Sequence, residues 1–401
     1  MPAKTVPIGS AYLLLVLLMG CLNMFGPVGI DMFLAGAPNV TEGLNTTPNR
    51  IINSISAVLL GNAVGQLVLG PLSDRYGRKP IILLTLVIYA GAALASGLST
   101  NVEHFIFWRF IQGLAISTGR ILAASVSRDL FEREQLGRMM AQILSVTAMS
   151  AIIFPIIGGQ IAQHFPWQWL FWVMVSFGVV VFVLVLFFYQ ETIEEKNPNA
   201  IRPRHLIANW IETIRHPVFL RYVFCSSFAM AGFGAYLAIS STVLRGVFGL
   251  SAENYGFLFA VIAFFFMVSA FSSGRLISKI GQHRVIEIGT VVALCGGTLL
   301  LGLALLDIRL SLAVVIPAGI YVFGIGWVFP QANALAMQPF PNSAGAAAAL
   351  MGFISNISSA GMGFLLGTLT HNSALYLAIA MFTSALGSVL IYFSVIKHHK
   401  I

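Results

Sequence analysis

Between two long apolar runs the chain reads Gly70-Pro71-Leu72-Ser73-Asp74-Arg75-Tyr76-Gly77-Arg78-Lys79-Pro80. Gly70 and Gly77 permit a tight turn between packed helices, because glycine enters left-handed backbone without strain. Asp74 can face a helix N-terminus and pair with the neighbouring arginines, which would latch one conformation. The flanking runs, 51–72 and 80–98, match the length of a bilayer-crossing helix, about 20 mostly apolar residues. The same ruler finds 10–36, 104–126, 139–163 and 168–189, then 218–240, 253–276, 284–305, 311–334, 345–369 and 374–396. Lipid offers no partner to an exposed backbone amide, so all are expected as helices.

The segment recurs. Gly70, Leu72 and Gly77 are matched by Gly274, Leu276 and Gly281, and Arg75 by Lys279, each displaced by 204 residues. Ser278 stands where Asp74 would be, so a second latch would be weaker. The copies follow spans two and eight, which reads as duplication. The expected organisation is one bundle over 1–190, a cytoplasmic linker over 191–217 and a second bundle over 218–401. Glu191, Glu194, Glu195, Pro198, Pro203 and Pro217 mark the linker. Repeated halves of this kind are a transporter signature.

Composition agrees. Of 401 residues, 58% are hydrophobic and 9% charged, with a mean hydropathy of +0.88. A soluble chain carries about 25% charged residues. Nuclear, cytosolic and secreted readings are excluded, as is a large extramembrane catalytic domain. The net charge of +8 has a membrane explanation and needs no nucleic acid partner. With the N-terminus inside, 17 basic residues are cytoplasmic: Lys4, Arg75, Arg78, Lys79, Arg128, Arg133, Arg138, Lys196, Arg202, Arg204, Arg215, Arg221, Arg275, Lys279, Arg284, Lys397 and Lys400. Three, Arg50, Arg245 and Arg309, lie outside. Both termini are therefore expected to be cytoplasmic. Trp108, Trp167 and Trp169 are expected at the outer interface. Leu18-Met19-Gly20-Cys21 imitates a lipoprotein-type signal, but the apolar run continues to Leu34 and is read as span one. Cys21, Cys225 and Cys295 read as small hydrophobes. No phosphate-binding loop or metal-ligand spacing is present, so no cofactor, metal or enzymatic activity is expected.

The 70–80 segment resembles the signature loop of the major facilitator superfamily. Arg109-Phe110-Ile111-Gln112-Gly113 resembles that superfamily's motif for proton-coupled members. Pro155-Ile156-Ile157-Gly158-Gly159 resembles its antiporter motif, with Phe154 in place of a glycine. Asp31-Met32-Phe33-Leu34, Arg128-Asp129-Leu130-Phe131, Arg138-Met139-Met140 and Glu191-Thr192 resemble the bicyclomycin/chloramphenicol-resistance family of drug:proton antiporters, densely in the first half and thinly in the second. Ala35 replaces a proline common after that aspartate. The resemblance implies an all-α membrane protein, with twelve transmembrane helices in two six-helix bundles. It implies proton-coupled export of lipophilic drug-like compounds by alternating access, from a monomer in a bacterial inner membrane. Gly70, Asp74, Arg75, Gly77 and Arg78 would form the conformational latch. Pro155, Gly158 and Gly159 would allow close, kinked helix packing.

An ionisable group at the membrane centre costs about 2.5–3.5 kcal/mol or more, so buried charges are functional suspects. Asp31, Arg109 and Arg120 lie well inside spans, and Asp31 is the one deep carboxylate. Apolar surroundings favour a neutral acid, whereas a nearby guanidinium favours the charged form. Asp31 is therefore expected to carry the proton, and Arg109 to switch it by approaching and withdrawing. A permanent structural ion pair is the alternative. Arg120 lies eleven residues beyond Arg109, on the same helix face, so both are expected to point into the bundle. Two arginines against one aspartate would suit an anionic metabolite such as a siderophore, which is the alternative substrate. Otherwise Arg120 reaches toward the inner interface. Further lining candidates are Asn23, Met24, Asn62 and Gln66, with Tyr236, Tyr321, Gln331 and Asn356 in the second half. Polar residues in spans also glue helices together.

Overall fold

The computed structural model describes residues 9–131, 133–193, 195–340, 344–369 and 374–396. Among these there is no strand, and twelve segments are long and apolar enough to cross a membrane. Lys4, Lys397 and Lys400, counted above for topology, lie outside the described residues.

The first crossing is broken into α1 (Ser10–Asn23), α2 (Phe25–Gly29) and α3 (Asp31–Gly43). Single crossings follow as α4 (Pro48–Tyr76), α5 (Arg78–Gly97), α6 (Val102–Leu130), α7 (Arg133–His164) and α8 (Gln168–Phe188). The short α9 (Pro203–Arg215) precedes α10 (Pro217–Ser241), which runs on into a π-helical turn over Thr242–Val247. The remaining crossings are α11 (Ala252–Ile280), α12 (Gln282–Leu305), α13 (Leu312–Met337), α14 (Ala344–Leu366) and α15 (Leu375–Ile396).

Local chemistry accounts for many of the boundaries. Pro48 and Pro217 open α4 and α10, where a missing N–H costs nothing. Asn101 Oδ1 accepts from the Glu103 amide at 2.7 Å to cap α6, and Ser251 Oγ caps α11 by accepting from the Asn254 amide at 3.2 Å. Hydroxyls within spans return their hydrogen to their own helix, as Thr85 does to the Ile81 carbonyl at 2.9 Å. The duplication is visible in the backbone. Both α4 and α11 are 29 residues long, and each ends at a glycine with positive φ, Gly77 at 109° and Gly281 at 82°.

Two expectations change. Trp167, at the start of α8, is turned into the protein and not outward: it is 7% exposed, packs edge-on to Phe105 and Phe171, and fills the space where a Gly43 side chain would lie. The stretch between the halves is not plain linker, since α9 forms within it. Leu206 and Trp210, one turn apart, face the protein, while Ile207, Ile211 and Ile214 form an exposed apolar stripe beside them. That split is the pattern of a helix lying at a membrane surface.

Candidate transport site

The halves are joined at one end and parted at the other. At the end remote from the 70–80 loop, Arg245 donates to the Ala35 carbonyl and, at 2.8 Å, to Asn39 Oδ1. There also the Ala252 amide donates to Gln163 Oε1 at 3.3 Å, and Asn49 Nδ2 donates to the Leu369 carbonyl at 3.0 Å. Midway, Gln66 donates to Asn62 at 3.2 Å and Asn62 to Asn356 at 3.4 Å, linking α4 to α14. Toward the loop end a cavity of about 670 Å³ separates the bundles. Gln66 and Arg120 lie in its depth, and Asp74, Asn197 and Asn209 at its mouth.

A second cavity, about 250 Å³, lies in the cleft between α7 and α11. Thr147 and Ala151 line one wall, Ile262 and Phe266 the other, and Asp31 is its one charged group. Asp31 owes this position to the breaks in the first crossing. Pro27 has no N–H, and its ring crowds the carbonyl four residues back, that of Asn23, where α1 ends. A further interruption at Ile30 makes Asp31 the first residue of α3. The bends thus come from Pro27 and the flanking glycines, so the missing proline at Ala35 does not leave the crossing straight.

Asp31 makes no ion pair or hydrogen bond among the described residues, so the permanent Asp31–Arg109 pair is not formed here. Arg109, fully buried, donates through Nη1 to the Gly29 carbonyl at 2.9 Å and to Gln112 Oε1 at 2.5 Å. Its charge lies 4.4 Å from the Phe33 ring centroid and 5.9 Å from that of Phe171. Nε and Nη2 have no partner among the described residues.

Arg120 does not share that interior. It lines the larger cavity, with its guanidinium carbon 5.3 Å from the Phe329 ring centroid across the gap. The two arginines part company because α6 crosses α1 between them: a side chain at Gly119 would strike the Leu22 carbonyl. Before the crossing α6 is covered by the broken helix, and beyond it the helix borders the cavity.

The other lining candidates divide. Gln66 faces the larger cavity, whereas Asn62 and Asn356 are spent on each other across the bundles. Tyr321 donates to the Ala229 carbonyl at 2.9 Å, and Gln331 donates to Ser273 and accepts from Gln282, so both tie helices together. Tyr236 is fully buried against Phe259 and borders neither cavity. Asn23 and Met24 sit at the first break, part-exposed, and likewise border neither. Sequence reasoning missed Asn333 and Trp210, which line the larger cavity. The apolar face of α9 carried a readable signal for Trp210; nothing set Asn333 apart from other polar residues in spans.

The family model described as Major Facilitator Superfamily matches residues 13–364. The chain belongs to the major facilitator superfamily. It is 29% identical to a bicyclomycin resistance protein homolog of Haemophilus influenzae over 387 residues, 94% of this chain and 95% of that one. It is 26% identical to the multidrug resistance protein MdtL of Klebsiella pneumoniae over 365 residues, 90% of each. Its fold is that of a D-xylose-proton symporter, with a TM-score of 0.75 at 14% identity, covering 94% of this chain and 97% of the symporter. It also matches the E. coli xylose transporter XylE in a partially occluded inward-open form, with a TM-score of 0.73 at 13% identity and 98% of each chain covered. It is a multi-pass membrane transporter of the superfamily and not an enzyme.

The superfamily's signature loop is wired differently from the expectation. Arg78 is its hub, donating to Ser73 Oγ at 2.6 Å, Asp74 at 2.5 Å and Asp129 at 3.0 Å. Glu191, not Asp74, faces a helix N-terminus: it accepts from the amides of Arg78 and Lys79 at 3.0 and 3.1 Å, where α5 begins. Thr192 donates to Asp129 and meets the Tyr189 hydroxyl, whose ionisation is pushed upward by burial, so it serves as a neutral O–H. Arg75 makes no ion pair among the described residues and lies over the Tyr76 ring. Gly77 is needed twice, for its positive φ and because a side chain there would strike Glu191. Gly70 meets Ile121 without crowding. The glycines of the 155–159 stretch in α7 make close approaches. A side chain on Gly158 would strike the Met32 carbonyl, and one on Gly159 would crowd Ala252 of α11, while the Pro155 carbonyl abuts Gly256.

Proposed function

We propose that this transporter is a proton-coupled exporter of lipophilic drug-like compounds, working by alternating access in a bacterial inner membrane. The reading rests on one observation above the rest: Asp31, the deep carboxylate of the first crossing, is unpaired and opens onto an apolar cleft between the two halves. The relatives named for bicyclomycin and multidrug resistance support the substrate class. The basic residues counted above support a cytoplasmic position for the loop end and for both termini. The cavity is then open inward, and the Arg245 contacts close the outer side.

In this reading Asp31 holds its proton while Arg109 is engaged with Gly29 and Gln112. Entry of a compound from the cytoplasm loosens the broken helix, Arg109 turns to the carboxylate, and the proton leaves inward. Rocking about the α7–α11 crossing then opens the outer side, where the compound departs and Asp31 is protonated again. The Asp74–Arg78 cluster is intact within the first half and faces the start of α14 across the cavity, where it would latch the outward form.

The test is efflux of a lipophilic substrate from proteoliposomes under an imposed pH gradient, with Asp31→Asn alongside. Wild type should export only with the gradient, and Asp31→Asn should bind the compound without concentrating it. Gradient-insensitive flux in wild type would remove antiport, and full active efflux by Asp31→Asn would remove Asp31 as the proton site.

A further inference from the structure

We propose that the larger cavity holds its transported compound by an anionic group, a carboxylate or sulfonate, seated on the Arg120 guanidinium. This rests on reading that cavity as the compound's binding place. Arg120 sits well within a membrane-crossing helix, where a charge without a partner is costly, yet among the described residues no carboxylate or carbonyl accepts from it. Its one neighbour of note, the Phe329 ring, steadies the positive charge but leaves the N–H donors unused. A guanidinium presents those donors as a planar fork that matches a carboxylate or sulfonate two-pronged.

The surroundings carry the same sign. Arg128 lines the same wall eight residues further along α6, about 12 Å nearer the mouth. It meets only the Ser125 hydroxyl, at 3.3 Å, and has no ion pair among the described residues. The cavity's acid, Asp74, is already held by Arg78, and nearby Asp129 is held by Arg78 and Thr192 outside the lining. Two guanidiniums are thus left over along one wall, an ascending path for an anion from mouth to depth. Asn333 adds a polar side chain to the same lining and is 8% exposed.

Equilibrium dialysis against protein-containing nanodiscs, with 2-naphthoate and its neutral analogue 2-naphthamide, tests the assignment. The wild type should retain the acid at least ten-fold more tightly than the amide at low salt. Arg120→Gln should bind the two alike, with the amide affinity of the wild type showing that the fold is intact, and Arg120→Lys should restore a preference for the acid. Equal binding by the wild type, or an undiminished preference in Arg120→Gln, overturns the anion site. Proton-driven export of neutral compounds without any preference for the acid would sink this site and leave the export reading standing. A preference for the acid without proton-driven export would do the reverse.

Discussion

Arg109 Nη1 donates to the carbonyl oxygen of Gly29 at 2.9 Å, two residues before Asp31. In this conformation the arginine holds the backbone of the broken first helix and is not paired with the acid. Arg109→Lys keeps the charge but cannot reach both Gly29 and Gln112 while lying against Phe33. Each charge-assisted bond lost is worth about 1.5–3 kcal/mol, so gradient-driven efflux should fall about ten-fold or more. Gradient-independent binding should change far less. Parallel efflux and dialysis measurements separate the two, and equal losses in both would mean that Arg109 serves only the fold.

The arginines of the 70–80 loop should behave unlike each other. Arg78→Ala strips the partner from Asp74, whose side chain is 45% exposed, and from Asp129, 20% exposed. Because both acids keep some access to solvent, the expected loss is about 2–3 kcal/mol, below the value for a fully buried pair. Arg75→Ala removes a contact with Tyr76 and should leave stability within about 0.5 kcal/mol of wild type. Thermal unfolding in detergent would rank them, and the opposite order would contradict the hub assignment.

Gly158→Val drives a branched side chain into the Met32 carbonyl. Backbone cannot yield as a side chain can, so destabilisation of about 1–3 kcal/mol is expected, with loss of transport. The contrasting position is Gly361, around which a side chain would meet open space. Gly361→Ala should unfold at or slightly above the wild-type temperature, since alanine favours the helix by about 1 kcal/mol.

On the far side, Arg245→Ala releases the Ala35 carbonyl and Asn39 together. Two hydrogen bonds of about 1 kcal/mol each correspond to a shift of roughly thirty-fold between conformers. Spin labels at Thr100 and Leu310, both exposed in loops at that end, should report a longer distance population in the variant. An unchanged distance distribution would show that other contacts hold that end closed.

The crossings were legible because apolar length alone announces them, and the paired loops betrayed the duplication at a spacing of 204 residues that α4 and α11 reproduce. The position of Asp31 within a crossing was legible for the same reason. The partner of Arg109 was not, because it is a main-chain carbonyl freed by a broken helix, and residue type does not encode it. Tyr321 and Gln331 looked like lining and proved to be ties, since a polar group in a span serves either end equally well on paper. Glu191 escaped notice as a cap because it reaches α5 from 113 positions away.

The peptide joining the halves has a further consequence. Its Asn197 amide donates to the Asp74 carbonyl at 2.9 Å, while α9 leans on the second bundle and places Trp210 in the vestibule wall. The connection is thus masonry as much as tether. If the chain were split and its halves co-produced, the piece carrying 191–217 would decide whether a working vestibule forms. Trimming that stretch to a short flexible strap would leave two well-made bundles with a breach between them.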